Sequence, residues 1–466
     1  MKTWLCIICG LIYDERKGWP DDGIAPGTRW EDVPDDWLCP DCQVGKEDFE
    51  MLAIFDDNEA ATTVAISSTE SIAALSTESK TNTIVGPERI VIIGSGHAGY
   101  HMANALREQD KNVSITVFTS DDGALYSKPM LSNAFKLGKT AQDLVSESAL
   151  AWEQRLNIRV YPHTEALKID RQTQTLTTSI GEAHYDRLVL ATGAAPIRIP
   201  VTGDADSMLS VNDLSDYAKF RAKITDAKHI TILGDGLIGC EFANDLAGQG
   251  IKVTVVGLAS WPMAALLPQQ AGETLQHALS QLGIEWRLQQ SIQSISTNDH
   301  GYNVTLSDGE VITTDLVLSA VGLRPNTQLA QQSGLDTARG ISVDLCHQTS
   351  DPQIFAVGDC AEVGGKWAPY IAPINQAKAA LVQSILGQPV PATIVATPII
   401  VKTPAMPLCV MPAIADGEWK IDQQTDGLTA GCYDPQGQLL GFVLLGQRQQ
   451  NERSQWLSTF NKYQAA

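Results

Sequence analysis

The chain has 466 residues, of which 44% are hydrophobic, 19% are charged and 37 are glycine. Its formal net charge of −21 disfavours binding to the phosphate backbone of nucleic acids and to anionic lipid surfaces. No apolar run approaches the ~18 residues of a membrane-spanning helix, and two cysteines interrupt the stretch where a signal peptide would be apolar. We therefore expect a cytoplasmic protein of about three domains, without a membrane span or a nucleic-acid partner.

Two closely spaced cysteine pairs lie within the first 54 residues, as Cys6 with Cys9 and Cys39 with Cys42. In a C-x-x-C turn, two thiolates converge on one ion while backbone N–H groups point at the sulfurs, which suits tetrahedral coordination by four thiolates. The pattern predicts a metal centre. Spacing alone does not separate iron from structural zinc, although the 29 residues between the pairs exceed the usual 15 to 20 of a zinc ribbon.

The sequence around these cysteines resembles the rubredoxin family. The segments CIICGLIYD, GIAPGTRWEDVPDDWLCPDC and VGKEDFE carry this resemblance across residues 1–54. It implies a small rubredoxin-like metal fold with Tyr13, Trp37 and Phe49 in its aromatic core. It also implies that the four cysteines bind one iron, which carries one electron at a time. Twelve acidic and five basic side chains give this segment a formal charge of −7 before the metal is counted, which would steer it to a basic partner surface.

Residues 55–86 form the expected linker. The composition from Phe55 to Thr83 is dominated by Ala, Ser, Thr, Asp and Glu, with no aromatic residue after Phe55. Such a segment cannot bury enough apolar surface to offset the entropy lost on ordering. A flexible coil of this length would span about 30 Å, so it would tether the first domain loosely to the rest of the chain.

Two similar segments predict a duplicated dinucleotide-binding unit. RIVIIGSGHAGYHMANAL and HITILGDGLIGCEFANDLAGQG each read as a strand, a glycine-rich turn and a helix, and each is followed by a second strand. The glycines permit a tight turn and close approach of a pyrophosphate, while the helix N-terminus supplies positive potential. The turn glycines are Gly94, Gly96 and Gly99 in the first unit, and Gly234, Gly236 and Gly239 in the second.

Further segments resemble the flavoprotein reductases that bind two dinucleotides. These are LVLATGAAP, LSAVGLRPN and IFAVGDCAEV, while YSKPML, LIGCEFANDL and VKTPAMPL resemble the rubredoxin reductase branch. The resemblance covers residues 88–460 and implies an α/β reductase with a C-terminal α+β domain. The implied boundaries are 87–210 and 320–390 for the FAD-binding domain, 211–319 for the NAD-binding domain, and 391–466 for the C-terminal domain.

The same resemblance assigns site residues. The implied FAD contacts are Gly94, Gly96, His97, Ala98, Gly99, Lys128, Ala166, Gly193, Asp359 and Lys402, and the implied NAD contacts are Gly234, Gly236 and Gly239. Asp359 would bind the flavin ribityl chain, and the backbone of Ala166 would contact the adenine. Lys128 would reach flavin N5 and form a catalytic pair with Glu241, whose carboxylate we expect within salt-bridge distance. We expect His97 to have no acid–base role.

Two features of the second unit depart from the usual pattern. An acidic residue at the end of the second strand normally binds the ribose hydroxyls, but Val256 and Gly257 stand there. Asp235, inside the glycine turn, would repel a pyrophosphate unless its carboxylate points away. Because no arginine cluster follows, we expect a modest preference for NADH over NADPH, of about 10-fold to 100-fold.

Together these features imply an electron-transfer oxidoreductase. NAD(P)H would reduce FAD, and single electrons would pass to the rubredoxin domain of the same chain and then to a membrane alkane monooxygenase. The alternatives are rubredoxin-linked reduction of oxygen or peroxide, and a flavin reductase with a non-redox zinc docking module. The five remaining cysteines form no C-x-x-C or C-x-x-x-x-C pair, so we expect no redox-active disulfide.

Overall fold

A computed structural model describes residues 3–6, 12–37, 39, 45–46, 49–52 and 87–464 of the chain. Cys9, Cys42 and the expected linker at residues 55–86 therefore lie outside the described residues. Within the described part, no helix is long and apolar enough to cross a membrane.

The N-terminal domain is a three-stranded antiparallel sheet around a cluster of aromatic rings. Its central strand, Thr3–Cys6, pairs with Ile12–Asp14 on one side and Phe49–Leu52 on the other. Two 3-10 turns, Pro20–Asp22 and Trp30–Asp32, lie in the chain between the second and third strands. Neighbouring rings of Tyr13, Trp30, Trp37 and Phe49 have centroids 4.7 to 5.9 Å apart. These rings supply most of the core of a domain too small for a large aliphatic one.

The first dinucleotide-binding unit has a five-stranded parallel sheet. Its strands, in spatial order, are Ile354–Ala356, Arg187–Leu190, Arg89–Ile93, Ser114–Phe118 and Arg159–Tyr161. The associated helices are His97–Gln109, Ala149–Leu156 and Ile371–Ile385. The central strand, RIVII, is buried at its last four positions, as expected for a strand with helices or further layers on both faces.

The second unit has a four-stranded parallel sheet in the spatial order Glu285–Leu288, Lys252–Gly257, His229–Leu233 and Leu316–Ser319. Its helices are Leu214–Ile224, Leu237–Ala247 and Gln269–Ser280. An antiparallel sheet formed by Ile292–Asn298, Gly301–Leu306 and Val311–Thr314 lies in the chain between the parallel strands Glu285–Leu288 and Leu316–Ser319, and Thr202–Gly203 joins its edge. The predicted duplication is therefore present as two parallel sheets.

Shorter elements complete the two units. The strands Ala166–Asp170, Thr175–Thr178 and Gly181–His184 form an antiparallel sheet. Ala194–Pro196 pairs with Leu323–Pro325, Ile341–Val343 with Ala361–Val363, and Leu125–Tyr126 with Val145–Glu147. The remaining short helices are Lys128–Ser132, Gln142–Leu144, Ala205–Ser207 and Gln328–Gln332.

The C-terminal domain is a five-stranded antiparallel sheet with a closing helix. Its spatial order is Ile399–Val401, Leu408–Met411, Leu439–Leu445, Gly427–Tyr433 and Glu418–Gln424. The closing helix Arg453–Gln464 follows a 3-10 turn, Gln449–Glu452.

Alternate residues of the C-terminal strands enter two different cores. Leu408, Val410 and Val443 join the cluster that contains Phe220 and Leu275 of the second unit. On the other face, Cys409, Met411, Phe442 and Leu444 form a cluster with Phe460 of the closing helix. Both faces of the sheet are therefore buried, which fixes the C-terminal domain on the second unit. The predicted fold class, a rubredoxin-like fold followed by an α/β reductase and an α+β domain, is confirmed.

Candidate functional site

The first glycine turn leaves open space in front of a helix N-terminus. Gly94 has φ +108°, and a Cβ there would lie 2.2 Å from the carbonyl oxygen of Ala191. A Cβ on Gly99 would lie 1.9 Å from the carbonyl oxygen of Gly94, whereas a Cβ on Gly96 would meet nothing within 4 Å. Two glycines are thus required by packing, and the third leaves room beside unpaired N–H groups where an anionic phosphate would bind.

The second glycine turn repeats this arrangement. Gly234 has φ +121°, and a Cβ there would lie 2.4 Å from the carbonyl oxygen of Ala320. A Cβ on Gly239 would lie 2.0 Å from the carbonyl oxygen of Gly234, and a Cβ on Gly236 would again meet nothing within 4 Å. The two turns therefore offer equivalent places for the pyrophosphates of two dinucleotides.

His97 is a neutral hydrogen-bonding group at the start of the first helix. Its Nε2 lies 3.2 Å from Oδ1 of Asn375, and its ring centroid lies 4.1 Å from that of His101. Burial lowers the pKa of His97 to about 4. The Nδ2 group of Asn375 is buried and has no hydrogen-bond partner in the described part of the chain. An anionic group bound at the first turn would give this donor an acceptor, so the surrounding residues fit an FAD phosphate.

Lys128 and Asp359 meet beside the same turn. The Nζ of Lys128 lies 3.8 Å from Oδ2 of Asp359, and both side chains are partly exposed. Asp359 follows Gly358, where a Cβ would lie 2.9 Å from the Cβ of Ala98. This close approach places Asp359 next to the first helix. The pair is thus open to a ligand, as a flavin contact requires.

Glu241 is paired with Lys402, so the predicted ion pair between Glu241 and Lys128 is wrong. Oε2 of Glu241 lies 2.7 Å from Nζ of Lys402, and the side chains are 0% and 8% exposed. The backbone N–H of Lys402 donates to Oε1 of Glu241 at 2.9 Å, and the hydroxyl of Ser132 donates to Oε2 at 2.5 Å. The cation that pairs with Glu241 is therefore Lys402 of the C-terminal domain. Lys128 pairs with Asp359 instead.

The helix Leu237–Ala247 presents a polar face to both neighbouring domains. The Asp245 carboxylate accepts from the backbone N–H groups of Phe135 and Lys136, each at 3.1 Å. Oδ1 of Asn244 accepts from the N–H of Ala405 at 3.1 Å. With Glu241 one turn earlier, this helix ties the segment after Lys128 to the segment after Lys402. Asn244 and Asp245 had no functional signal in the sequence beyond their place after the second glycine turn.

Gly193 and Ala166 are two further predicted FAD contacts. Gly193 has φ +65°, and a Cβ there would meet nothing within 4 Å, so its surroundings leave space for a ligand. Ala166 begins the strand Ala166–Asp170 of the three-stranded sheet. The adenine contact assigned to its backbone stays a prediction.

Two of the four predicted metal ligands lie in the core of the N-terminal domain. Cys6 and Cys39 are both 0% exposed and belong to the cluster that contains Trp30, Trp37 and Phe49. Cys9 and Cys42 lie outside the described residues. The chemistry of the donor set, with thiol groups buried among aromatic rings, fits an iron held by thiolates.

The buried cysteines of the reductase are poor nucleophiles. Cys240 and Cys360 are both 0% exposed, and burial raises the pKa of each thiol. A protonated thiol without access to solvent does not attack a substrate. We therefore assign both residues to packing.

Comparison with known proteins assigns three parts of the chain to protein families. The family model for pyridine nucleotide-disulphide oxidoreductases matches residues 88–383. The chain belongs to this family. The rubredoxin model matches residues 3–49, and the model for the rubredoxin binding C-terminal domain matches residues 391–460. The rubredoxin domain implies iron, and the oxidoreductase family implies FAD and NADH.

Relatives match the reductase part over nearly their whole length. Rubredoxin-NAD(+) reductase of Alcanivorax borkumensis is 41% identical over 362 residues, which are 77% of this chain and 95% of the relative. The nitric oxide reductase FlRd-NAD(+) reductase of Klebsiella pneumoniae is 37% identical over 76% of this chain and 94% of the relative.

Two solved structures share the fold. A ferredoxin reductase from Rhodopseudomonas palustris is 26% identical with a TM-score of 0.71, and the match covers 77% of this chain and 91% of that one. The NADH:rubredoxin oxidoreductase of Clostridium acetobutylicum is 21% identical with a TM-score of 0.68, and the match covers 81% of this chain and 95% of that one.

Proposed function

We propose that this chain is a rubredoxin-NAD(+) reductase that carries its own rubredoxin, so that electrons from NADH reach the iron held by Cys6, Cys9, Cys39 and Cys42. FAD, when bound, accepts an electron pair as hydride and releases single electrons, which is the conversion this reaction needs. The protein has to bind and orient both dinucleotides and bring the iron close to the flavin. Support comes from the two glycine turns and from the presence of all three domain types on one chain.

The strand Ile399–Val401 is the main observation behind the proposal, because it connects the rubredoxin domain with the reductase. Ile400 packs against the aromatic cluster that contains Cys6 and Cys39. The next residue but one, Lys402, forms the buried pair with Glu241. The rubredoxin core therefore contacts the reductase two residues away from the buried pair of Glu241 and Lys402. This proximity favours electron transfer within one chain over transfer between chains.

An anaerobic titration with NADH tests the proposal. We expect the purified holoenzyme to contain iron, and we expect the flavin and the ferric thiolate absorption to bleach together. Because the flavin takes two electrons and the iron takes one, complete reduction should consume about 1.5 equivalents of NADH per chain. Zinc in place of iron, with about one equivalent consumed, would favour the alternative of a flavin reductase with a docking module. The zinc-substituted protein is the matched control.

Lys128 is the cation that we assign to the flavin. Its side chain is 38% exposed and its partner Asp359 is 3.8 Å away, whereas Lys402 is buried against a carboxylate at 2.7 Å. A cation near N5 would stabilise the negative charge that develops during hydride transfer. The ion pair with Asp359 would hold the ammonium in place before NADH arrives.

Replacing Lys128 should slow flavin reduction without an equal loss of NADH affinity. For Lys128→Met we expect the rate constant in stopped-flow single turnover to fall on the order of 10²-fold, because an interaction made mainly in the transition state is lost. The Kd for NADH should change little. Lys168→Met, which removes an exposed lysine from another sheet, should leave both constants unchanged. A change in Kd alone would contradict the assignment.

We also propose that the rubredoxin domain passes its electrons to an external acceptor enzyme, with a membrane alkane monooxygenase as first candidate. The relatives named nitric oxide reductase FlRd-NAD(+) reductase favour a nitric-oxide-reducing acceptor as the second candidate. Turnover of NADH with each purified acceptor separates the two. The correct acceptor should raise NADH consumption well above the rate with oxygen alone, and it should do so only with iron in the rubredoxin domain.

A further inference from the structure

Asp235, the middle residue of the second glycine turn, points its carboxylate at the end of the strand Lys252–Gly257. Its Oδ2 accepts a hydrogen bond from the backbone N–H of Ala259 at 2.9 Å. A Cβ built on Gly257 would lie 2.1 Å from that same Oδ2 and 2.3 Å from Cγ. The Asp235 carboxylate therefore occupies the volume that a side chain at position 257 would need.

In other dinucleotide-binding units, this volume holds a side chain that contacts the cofactor. An acidic side chain at the end of the second strand normally binds the ribose hydroxyls of the adenosine, and the strand here ends in Gly257. We propose that Asp235, although it lies in the glycine turn, performs this role. It binds the ribose hydroxyls of NADH and rejects the 2′-phosphate of NADPH. The proposal rests on the proposed use of the second glycine turn for the nicotinamide cofactor.

The carboxylate is anchored on one side and available on the other. Oδ2 is held by Ala259, while Oδ1 has no hydrogen-bond or ion-pair partner among the described residues. Asp235 is half-buried, so Oδ1 can accept from a ligand hydroxyl without reorganisation of the loop. The absence of an acidic residue at positions 256 and 257 and the presence of Asp235 in the turn therefore have one explanation. Asp235 supplies the carboxylate that a residue at the end of the strand would normally supply.

No cation of the neighbouring strand is placed to neutralise a 2′-phosphate. Arg287 lies opposite Val256 in the sheet, but its Nε donates to both carboxylate oxygens of Glu310 at 2.7 and 2.9 Å. The loop after the strand, residues 258–263, contains no basic residue. A phosphate would therefore meet the Asp235 carboxylate at short range without compensation. We now expect a preference for NADH on the order of 10³-fold, above the modest preference expected from the sequence.

The variant Asp235→Asn separates cofactor recognition from loop structure. Its amide oxygen can still accept from the N–H of Ala259, while its NH₂ group can donate to a phosphate. We expect the ratio of kcat/KM for NADH to that for NADPH to fall at least 10-fold. Titration of the FAD-loaded protein with NAD⁺, NADP⁺, ADP-ribose and 2′-phospho-ADP-ribose should show the same shift in Kd. Asp299→Asn, in the exposed hairpin after Ile292–Asn298, is the charge-matched control and should leave the ratio unchanged.

A second variant moves the acid to its usual place. Gly257→Asp alone should be unstable because its Cβ would collide with Asp235, but Asp235→Gly combined with Gly257→Asp removes the collision. We expect this double variant to prefer NADH again by at least 10-fold over Asp235→Gly alone. The inference is overturned if Asp235→Asn binds both cofactors with the native ratio. If the native enzyme binds neither cofactor, the proposed function fails together with the inference.

Discussion

Cutting the chain between Ser71 and Thr83 should slow electron transfer from flavin to iron by about 10² to 10³-fold at micromolar protein concentration. In the intact chain, a linker of about 30 residues would keep the rubredoxin domain at an effective concentration on the order of millimolar near its docking surface. The intact rate should therefore be independent of protein concentration. After cleavage the step becomes bimolecular, so its rate should rise with concentration.

Stopped-flow reduction of the iron, followed at several protein and salt concentrations, checks this expectation. A protease site inserted between Ser71 and Thr83 but left uncut is the matched control. The cut protein should also depend on ionic strength, because the rubredoxin segment carries a formal charge of −7. If the cut protein matches the uncut control at micromolar concentration, docking affinity alone holds the domains together and the tether has no kinetic role.

The contact made by Ile400 offers a second way to weaken docking. Ile400 is partly buried between the aromatic cluster of the rubredoxin domain and the C-terminal sheet. Ile400→Asp would place a negative charge against the acidic rubredoxin domain. In the cut protein this variant should lower the bimolecular rate further, whereas in the intact chain the high effective concentration should mask part of the loss.

Local patterns in the sequence were sufficient to predict the two glycine turns. Each turn depends on a strand, three glycines and a helix that are contiguous in the chain, and the structure shows Gly96 and Gly236 facing the open space that a pyrophosphate needs. The aromatic core of the rubredoxin domain was predicted from the family resemblance, which implied Tyr13, Trp37 and Phe49, and all three lie in that core. Trp30 is one addition that the structure makes to the predicted set of Tyr13, Trp37 and Phe49.

Long-range partners were not predictable in this way. Lys402 is 161 positions from Glu241, and only the packing of the C-terminal sheet against the second unit brings the two together. The resemblance instead suggested Lys128, whose partner is Asp359. Asp235 shows the same limit within a single unit, since its spacing indicates a conflict with the pyrophosphate while its side-chain direction removes that conflict.

Removing the Glu241 carboxylate should destabilise the reductase by about 3 to 5 kcal/mol. Glu241→Ala would leave the Lys402 ammonium, which is 8% exposed, without its counter-charge. It would also leave the Ser132 hydroxyl and the Lys402 backbone N–H without their acceptor. Urea unfolding of the FAD-loaded protein, followed by circular dichroism, measures the loss as a lower midpoint.

A pair in the same unit supplies the control for this prediction. Lys252 and Glu285 lie 2.9 Å apart, but their side chains are 51% and 42% exposed. Water screens such a pair, so Glu285→Ala should cost only about 0 to 1 kcal/mol. The double variant Glu241→Gln with Lys402→Met removes both charges and should recover much of the stability that Glu241→Ala loses. Equal losses for Glu241→Ala and Glu285→Ala would show that the buried pair does not stabilise the junction between the second unit and the C-terminal domain.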